Sequence, residues 1–334
     1  MSKKPQPILT VAIVSFNTCD LTLQAVNSIL AEIENTTQLQ QRTEIIVVDN
    51  ASADDSVAKL KKIKSKLAQI KIIENKKNKG FAQANNQAIE NSKTPYLFLL
   101  NSDAVVQPGA INQLLKTFKQ HPDNPTTAGL SSHAGELDHL GILAATLTNK
   151  DGSIQSQGGS FPTLLTVAIH FLMLDDLPLI GKLLPSTQDT GKHFSLKHAL
   201  KQKKPYQKAW VGGAAVMIKR QVFEEIGLLD PNIFMYGEDV EFCLRAKHHH
   251  WDIAVDPAAK VTHLGSASSS SNKALIGEIK GYLYLWLKHK PDWQIYPLKM
   301  IIWLGCQLRL LLFGLILRQK KKAKVYQEAL TLLD

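Results

Sequence analysis

Four short apolar runs separated by helical stretches constrain this chain more than any other feature. They occupy residues 9–14 (LTVAIV), 45–48 (IIVV), 70–73 (IKII) and 96–100 (YLFLL). Between them, Leu23, Val26, Ile29 and Leu30 recur at helical spacing within 21–33. Residues 54–68 read as an amphipathic helix with an acidic first turn, and 82–91 as another helix. Runs this short and this apolar suit strands covered on both faces, as in a parallel sheet, better than strands with one wet face. With right-handed crossovers, the expected domain is α/β with helices on both sides of the sheet. Ligands in such sheets bind beyond the carboxyl ends of the strands. Polar clusters fall there: Ser15-Phe16-Asn17, Asp49-Asn50-Ala51-Ser52, Asn101-Ser102-Asp103, and the 78–86 loop NKGFAQANN. Helix capping and turns account for any one cluster, and Ser52 and Asp54 are expected to cap the next helix. Several clusters on one rim point to a ligand site.

Several classes are excluded or disfavoured. No GxGxxG follows the first strand and no GxxxxGK[ST] occurs, so neither a dinucleotide-binding dehydrogenase nor a P-loop enzyme is expected. Cys19, Cys243 and Cys306 show no CxxC spacing, which argues against a disulfide framework or zinc knuckle and fits a reducing compartment. Lys3 and Lys4 precede the first apolar run, but Ser15 and Asn17 break it at once, so it reads as a strand rather than a signal peptide.

The net charge of +10 is concentrated in a lysine-rich stretch from Lys59 to Lys66, read as a solvated helix face, and in residues 288–324. The latter carry nine Lys or Arg and one acid, Asp292. Residues 295–317 are strongly apolar but interrupted by Lys299 and Arg309, so an in-plane helix with the polybasic tail Lys320-Lys321-Lys322 is expected at a membrane surface. Docking of that segment onto the catalytic domain is the alternative. No RNA-binding aromatic signature or zinc finger is present, and nucleic acid is not expected as a partner. Residues 128–208 are less regular, with a turn at Asp151-Gly152, an apolar run at 164–174 too short to span a bilayer, and later a flexible loop at 266–272. The His248-His249-His250 run reads as a solvated helix end, since consecutive residues on a helix point in different directions.

The ordered segments SFN (15–17), VDNAS (48–52), NKGFAQANN (78–86), LLNSDA (99–104), VGGAAVMIKR (211–220) and GEDVEFCLR (237–245), followed by His263, resemble glycosyltransferase family 2. NKDGSIQSQGGSFPTL (149–164) and GYLYLWLKH (281–289) are similar to its bacterial rhamnosyltransferase-like branch. The resemblance covers roughly 8–290. It implies a GT-A fold, with a mostly parallel nucleotide-binding sheet and helices on both faces, plus a C-terminal helical, membrane-proximal extension. The implied division is a catalytic domain at 1–290, with a donor half to about 125 and an acceptor half from about 126, and an apolar and basic segment at 291–334. The implied activity is inverting transfer from a nucleoside-diphosphate sugar to a lipid-linked or polysaccharide acceptor. A deoxythymidine- or uridine-diphosphate donor, with rhamnose as the sugar, comes from the same resemblance. So does the implied place, the cytoplasm at the inner face of the cell membrane.

By resemblance, Ser15, Asn17, Asp49, Gly80, Asn85, Ser102 and Asp103 hold the donor nucleotide, and Trp210 and Gly213 shape the donor-sugar and acceptor site. Metal ligands in that family come from an acid-x-acid motif and a distant His. Asn101-Ser102-Asp103 keeps only the last acid, so Asp103 and His263 are the implied ligands of Mn²⁺ or Mg²⁺, with phosphates and water supplying the rest. The chemistry agrees, since a departing diphosphate develops charge that a divalent cation stabilises. Inversion needs one carboxylate to take the acceptor proton, and Asp239 is the implied base with Glu238 as a supporting acid. A retaining glycosidase would need two carboxylates flanking one bond, and no such pair is apparent. The competing readings are a nucleotidyltransferase on a related sheet, which lacks here its glycine- and basic-rich phosphate loop, and an inactive membrane-docked binding protein.

Overall fold

The computed structural model describes residues 5–121, 137–175, 177, 184, 187, 204–265 and 271–333. The four apolar runs form strands β1 (Leu9–Ser15), β2 (Thr43–Asp49), β3 (Gln69–Glu74) and β4 (Tyr96–Asn101), all mutually parallel in the order β3-β2-β1-β4. Helices α1 (Cys19–Glu34), α2 (Ser56–Leu60) and α3 (Phe81–Glu90) make the crossovers. The side-chain alternation of β4 shows why both faces are covered. Phe98 and Leu100 join a core with Val26 and Ile29 of α1, while Leu97 and Leu99 join a second core with Ala84 and Ala88 of α3. Phe98 is fully buried, so truncating it to Ala is expected to cost about 3–5 kcal/mol.

Beyond β4 the sheet becomes mixed. β5 (Ala104–Val106), α4 (Ala110–Gln120), β6 (Leu140–Thr148), α5 (Leu164–Phe171), β7 (Tyr206–Gln207), β8 (Ala215–Lys219), α6 (Arg220–Ile226), α7 (Glu238–His248) and β9 (Asp252–His263) follow. The sheet continues β4-β8-β6-β9-β5, with β7 also on β9. β8 runs antiparallel to both β4 and β6, β6 and β9 are parallel, and β5 is antiparallel to β9. Two consequences position the site. The loop entering β8 meets the carboxyl end of β4, where Asn101 N donates to Ala214 O at 2.9 Å. The β5–β9 pairing sets Ala104 opposite His263, which carries Asp103 alongside that histidine.

One expected element is shorter than its pattern. The helix anticipated over 54–68 ends at Leu60. Ser65 Oγ accepts from the amides of Leu67 and Ala68, an alternative to helical bonding that serine offers readily. Asp54 does accept from Ser56 N at that helix start, whereas Ser52 Oγ turns back to Asn17 N. The anticipated flexible loop at 266–272 falls mostly outside the described residues, and 271–272 already belong to a helix.

The last helices, α8 (Ser271–His289), α9 (Ile295–Leu310, continued by a π-helical turn over Leu311–Ile316) and α10 (Lys320–Leu330), build a third core. Tyr282, Trp286, Leu298, Ile302 and Cys306 pack there with Val167 and Phe171 of α5. The 164–171 run is thus a docked helix, capped by Thr163, whose hydroxyl accepts from Thr166 N. Gly305 lets α9 press against α5: a Cβ there would sit 2.6 Å from Phe171 O.

Candidate active site

A cavity of about 320 Å³ opens at the carboxyl ends of the parallel strands. Its floor comes from β1 and β4 through Val14, Asn101, Ser102 and Asp103, and its sides from Asn50, Asn78 and Gly80. Gln155, Ser156, Gln157 and Gly158, then Trp210, Gly212 and Gly213, and finally Tyr236, Glu238, Asp239 and His263 close it. The size lies in the range of ligand pockets.

Two glycines set the approach of these loops. Gly80 has φ +83°, and a Cβ on it would lie 2.4 Å from Phe234 O, the same carbonyl that accepts from Phe81 N. Gly158 has φ +99°, and a Cβ there would meet Trp210 O at 1.9 Å. Any other residue at either position would push the walls apart.

The 237–239 turn presents two acids at the start of α7. Glu238 is buried and its Oε2 has no hydrogen-bond partner. Burial, then the neighbouring Asp239 charge, pushes its carboxyl up to about 8. Asp239 is more open to the cavity, and its Oδ1 accepts from Val240 N at 2.8 Å. Burial raises its carboxyl too, opposed by the amides of Val240 and Gly213. Two such carboxyls in one dry corner resist carrying both charges; burial keeps Glu238 neutral, while the amides of Val240 and Gly213 help Asp239 to carry the charge. Glu241, three residues on, is fully buried but saturated: Arg245, Lys288 and His289 all contact it.

Elsewhere on the wall, Asp103 Oδ1 lies 3.3 Å from His263 Nε2, and both residues line the cavity. Asn101 Nδ2 is 3.3 Å from the same ring nitrogen, and Asn101 Oδ1 is buried without a partner. No cluster of three or more His, Cys, Asp or Glu occurs among the described residues. Two protein ligands suffice for a cation that keeps waters and shares substrate phosphates, as Mg²⁺ commonly does. The carboxylate, the imidazole and the partnerless amide oxygen fit such an ion.

The sequence-named residues divide into those in the cavity wall and those beneath it. Gly80, Ser102, Asp103, Trp210, Gly213, Glu238, Asp239 and His263 line the cavity. Ser15 is buried under the rim, bonded to Thr22 Oγ1, and Asn85 spends its amide on Phe81 O within α3. Asp49 Oδ2 accepts from Ser52 N while its Oδ1 is buried and unpartnered. Asn17 holds the rim, its Oδ1 accepting from Ala53 N. Trp210 is anchored as well as lining, its Nε1 donating to Ser160 O and Thr187 O. His248, His249 and His250 are exposed at the end of α7, with His249 on Glu225. The sequence placed Asn50 and Asn78 in polar clusters at the rim, and Gln155 and Gln157 in the 149–164 segment, without giving any of the four a role. Gln157 Nε2 is buried and without a partner at the cavity wall. The QSQGG stretch within 149–164 was the available signal.

Comparison with known proteins agrees with this geometry. Residues 10–143 match the family model described as glycosyl transferase family 2. The chain is 23% identical over 202 residues to the N-acetylglucosaminyl-diphospho-decaprenol L-rhamnosyltransferase of Mycobacterium tuberculosis (strain H37Rv), covering 60% of this chain and 57% of that protein. It therefore spans little more than half the length of that relative. It is 32% identical over 99 residues to the succinoglycan biosynthesis protein ExoU of Rhizobium meliloti, covering 30% of this chain and 27% of that one. Among solved structures, the mannosyltransferase PcManGT of Pyrobaculum calidifontis in complex with GDP-Man and Mn²⁺ superposes with a TM-score of 0.53 at 14% identity, over 98% of this chain and 87% of the other. The shared architecture is the GT-A fold.

Proposed function

We propose, from a chain whose residues 10–143 match the glycosyl transferase family 2 model, that it is an inverting glycosyltransferase. It takes a nucleoside-diphosphate sugar as donor and a lipid-linked or polysaccharide acceptor of the cell envelope. The observation that carries this reading is one cavity holding an open carboxylate with raised proton affinity, Asp239, together with an Asp103–His263 pair.

In this mechanism the nucleotide lies over the ends of β1, β2 and β4, against Asn50, Asn78 and Ser102. Asp103 and His263 would hold Mn²⁺ or Mg²⁺, which when bound would neutralise charge on the departing diphosphate. Asp239 accepts the acceptor hydroxyl's proton as that oxygen bonds to the anomeric carbon. The carbon–oxygen bond to the diphosphate breaks on the opposite face, and the configuration inverts. Raised proton affinity suits Asp239 to this task, because a base is most effective when its pKa approaches the working pH. Neutral Glu238 and the free Nε2 of Gln157 are available to sugar hydroxyls. The mycobacterial relative makes rhamnose the first sugar to test, carried on deoxythymidine or uridine diphosphate.

We place the enzyme in the cytoplasm, against the inner face of the membrane. By length and composition, Asp292–Ile316 could cross a bilayer. Its inner face is committed, though: Leu298, Ile302, Gly305 and Cys306 are buried, and the Arg309 guanidinium donates to His170 O and Phe171 O of the α5 turn. The outer face exposes Trp293, Tyr296, Met300, Trp303, Leu304, Leu308, Leu311, Leu315 and Ile316 beside Arg318, Lys320, Lys321, Lys322 and Lys324. An apolar stripe flanked by lysines complements an anionic lipid surface.

The deciding experiment is donor turnover with and without added Mn²⁺, followed by acceptor screening. Activity should vanish in chelator and in Asp103→Ala. Full turnover in chelator would remove the metal from the mechanism. Donor synthesis from a sugar phosphate would support a nucleotidyltransferase, and binding without turnover an inactive docking protein.

A further inference from the structure

We propose that Gln155 is a positioning residue that selects the tautomer of His263, leaving Nε2 unprotonated and aimed at Asp103. This rests on the reading of Asp103 and His263 as a cation site.

The argument follows a chain of hydrogen bonds whose direction is set at its far end. Asp151 can only accept, and its Oδ1 takes the Ser153 hydroxyl at 2.6 Å. Those bonds from Ser153, side chain and then amide, hold the Asp151 carboxyl below the usual range. With its proton committed, Ser153 Oγ accepts from Asn149 Nδ2 at 2.8 Å. That fixes the Asn149 amide, so its Oδ1 accepts from Gln155 Nε2 at 2.6 Å. The second Nε2 proton of Gln155 goes to the His263 carbonyl, also at 2.6 Å. Both amide protons are spent, and Gln155 Oε1, 2.9 Å from His263 Nδ1, must accept. In a neutral ring the proton therefore sits on Nδ1.

The other nitrogen then carries a lone pair, 3.3 Å from the Asp103 oxygen and 3.3 Å from Asn101 Nδ2. Two electron-rich atoms facing each other at that distance repel unless a proton or a metal cation lies between them. Partners behind a ligating imidazole commonly fix its ring and tautomer, and their loss costs about 10–100-fold in metal affinity. The Asp151–Gly152 turn, outside the cavity, is thus wired to the ion's ligand. This gives the QSQGG stretch a role that the family resemblance did not assign.

Two readouts test it on the full chain. The first needs no metal: nitrogen-resolved NMR of the imidazoles at a pH where they are neutral, with the His263 signal identified by its loss in His263→Gln. Wild type should show the Nδ1-protonated tautomer. Gln155→Leu should show a mixture or the opposite form, and Gln155→Glu, which keeps an acceptor for the Nδ1 proton while giving up both donated bonds, should bring back part of the first. An Nε2-protonated wild type, or an unchanged Gln155→Leu spectrum, overturns the proposal. The second is Mn²⁺ binding in the presence of UDP, followed by electron paramagnetic resonance. Affinity should fall about 10–100-fold in Gln155→Leu and recover in part in Gln155→Glu. Equal affinity in all three overturns it. A wild type that binds no Mn²⁺ yet shows the expected tautomer would defeat the metal reading while leaving the role of Gln155 in place.

Discussion

Buried charge is handled in opposite ways in two regions of this molecule that share helix α7. Beneath α8, Glu241 is saturated by Arg245, Lys288 and His289, and Asp230 by Lys288, Tyr284 and Asn232. Burial alone would raise both acids, but these partners, Lys288 foremost for Asp230 and Arg245 for Glu241, hold them below the usual range. At the cavity, Glu238 Oε2, Gln157 Nε2 and Asn101 Oδ1 are buried without partners, and Glu238 and Asp239 are pushed up. A buried polar group left unpaired costs about 1–3 kcal/mol, so several in one place mark a spot that water, an ion or a ligand completes. Within GEDVE only the family resemblance separated the acids, since residue type and spacing do not. Their hydrogen-bond partners do: Glu241 is tied to Arg245, Lys288 and His289 inside the fold, whereas Glu238 and Asp239 line the cavity.

The contrast can be broken in four places. The largest effect is expected at Glu241, where Ala leaves Arg245 and Lys288 facing an empty buried site. A loss of about 3 kcal/mol in unfolding free energy is expected in a denaturant titration. A silent Glu241→Ala would mean that the network is decorative.

Next comes Asp239→Asn, which keeps shape and removes basicity. Transfer should fall by at least about a hundredfold while UDP binding, measured by calorimetry, stays near wild type. Lost UDP affinity would make Asp239 a binding group, and a retained rate would move the base to a neighbour.

Glu238 sharpens the comparison through pH. Its folded pKa of about 8 stands above its ordinary value of 4.5, so between these values the folded state holds the proton more tightly. That contribution to stability is complete below about 4.5 and is lost as pH rises towards about 8. Glu238→Gln cannot lose it, so its melting temperature should gain a few degrees on wild type between about pH 5 and pH 8. Parallel curves would show that the carboxyl is not strained by its burial.

The smallest effect concerns the outer face of α9. The full chain should float with phosphatidylglycerol-containing vesicles and less with pure phosphatidylcholine, whereas a chain ending after Pro291 should float with neither. Since α9 also covers the third core, an intact hairpin with Lys320, Lys321, Lys322 and Lys324 changed to Gln serves as the second variant. Equal partitioning of all three proteins would refute surface anchoring.

Much of this was legible in one dimension because it depends on local pattern. Apolar runs ending in SFN, VDNAS and LLNSDA located β1, β2 and β4 and the rim on which Ser102 and Asp103 stand. Period and punctuation carry that information: a strand buried on both faces must be apolar throughout, and the polar residues after it face the crevice. The sequence could not tell that Ser15 and Asn85 lie beneath the wall, because polarity does not reveal whether a hydrogen-bond partner sits within the chain. Nor could it end the helix at Leu60, where a single serine outcompetes a favourable pattern.

What only the tertiary structure decided is the meeting of distant segments. Antiparallel pairing of β5 with β9 brings His263 to Asp103, the reversed β8 brings Ala214 to Asn101, and the turn at Asp151 reaches His263 through Gln155. Strand order and direction beyond β4 depend on how the whole sheet closes, which no window of residues contains. The order of apolar runs and polar breaks along the sequence determined that the chain would build an α/β sheet with polar strand ends. Topology decided which of those polar groups would be paired with one another and which would be left for a ligand.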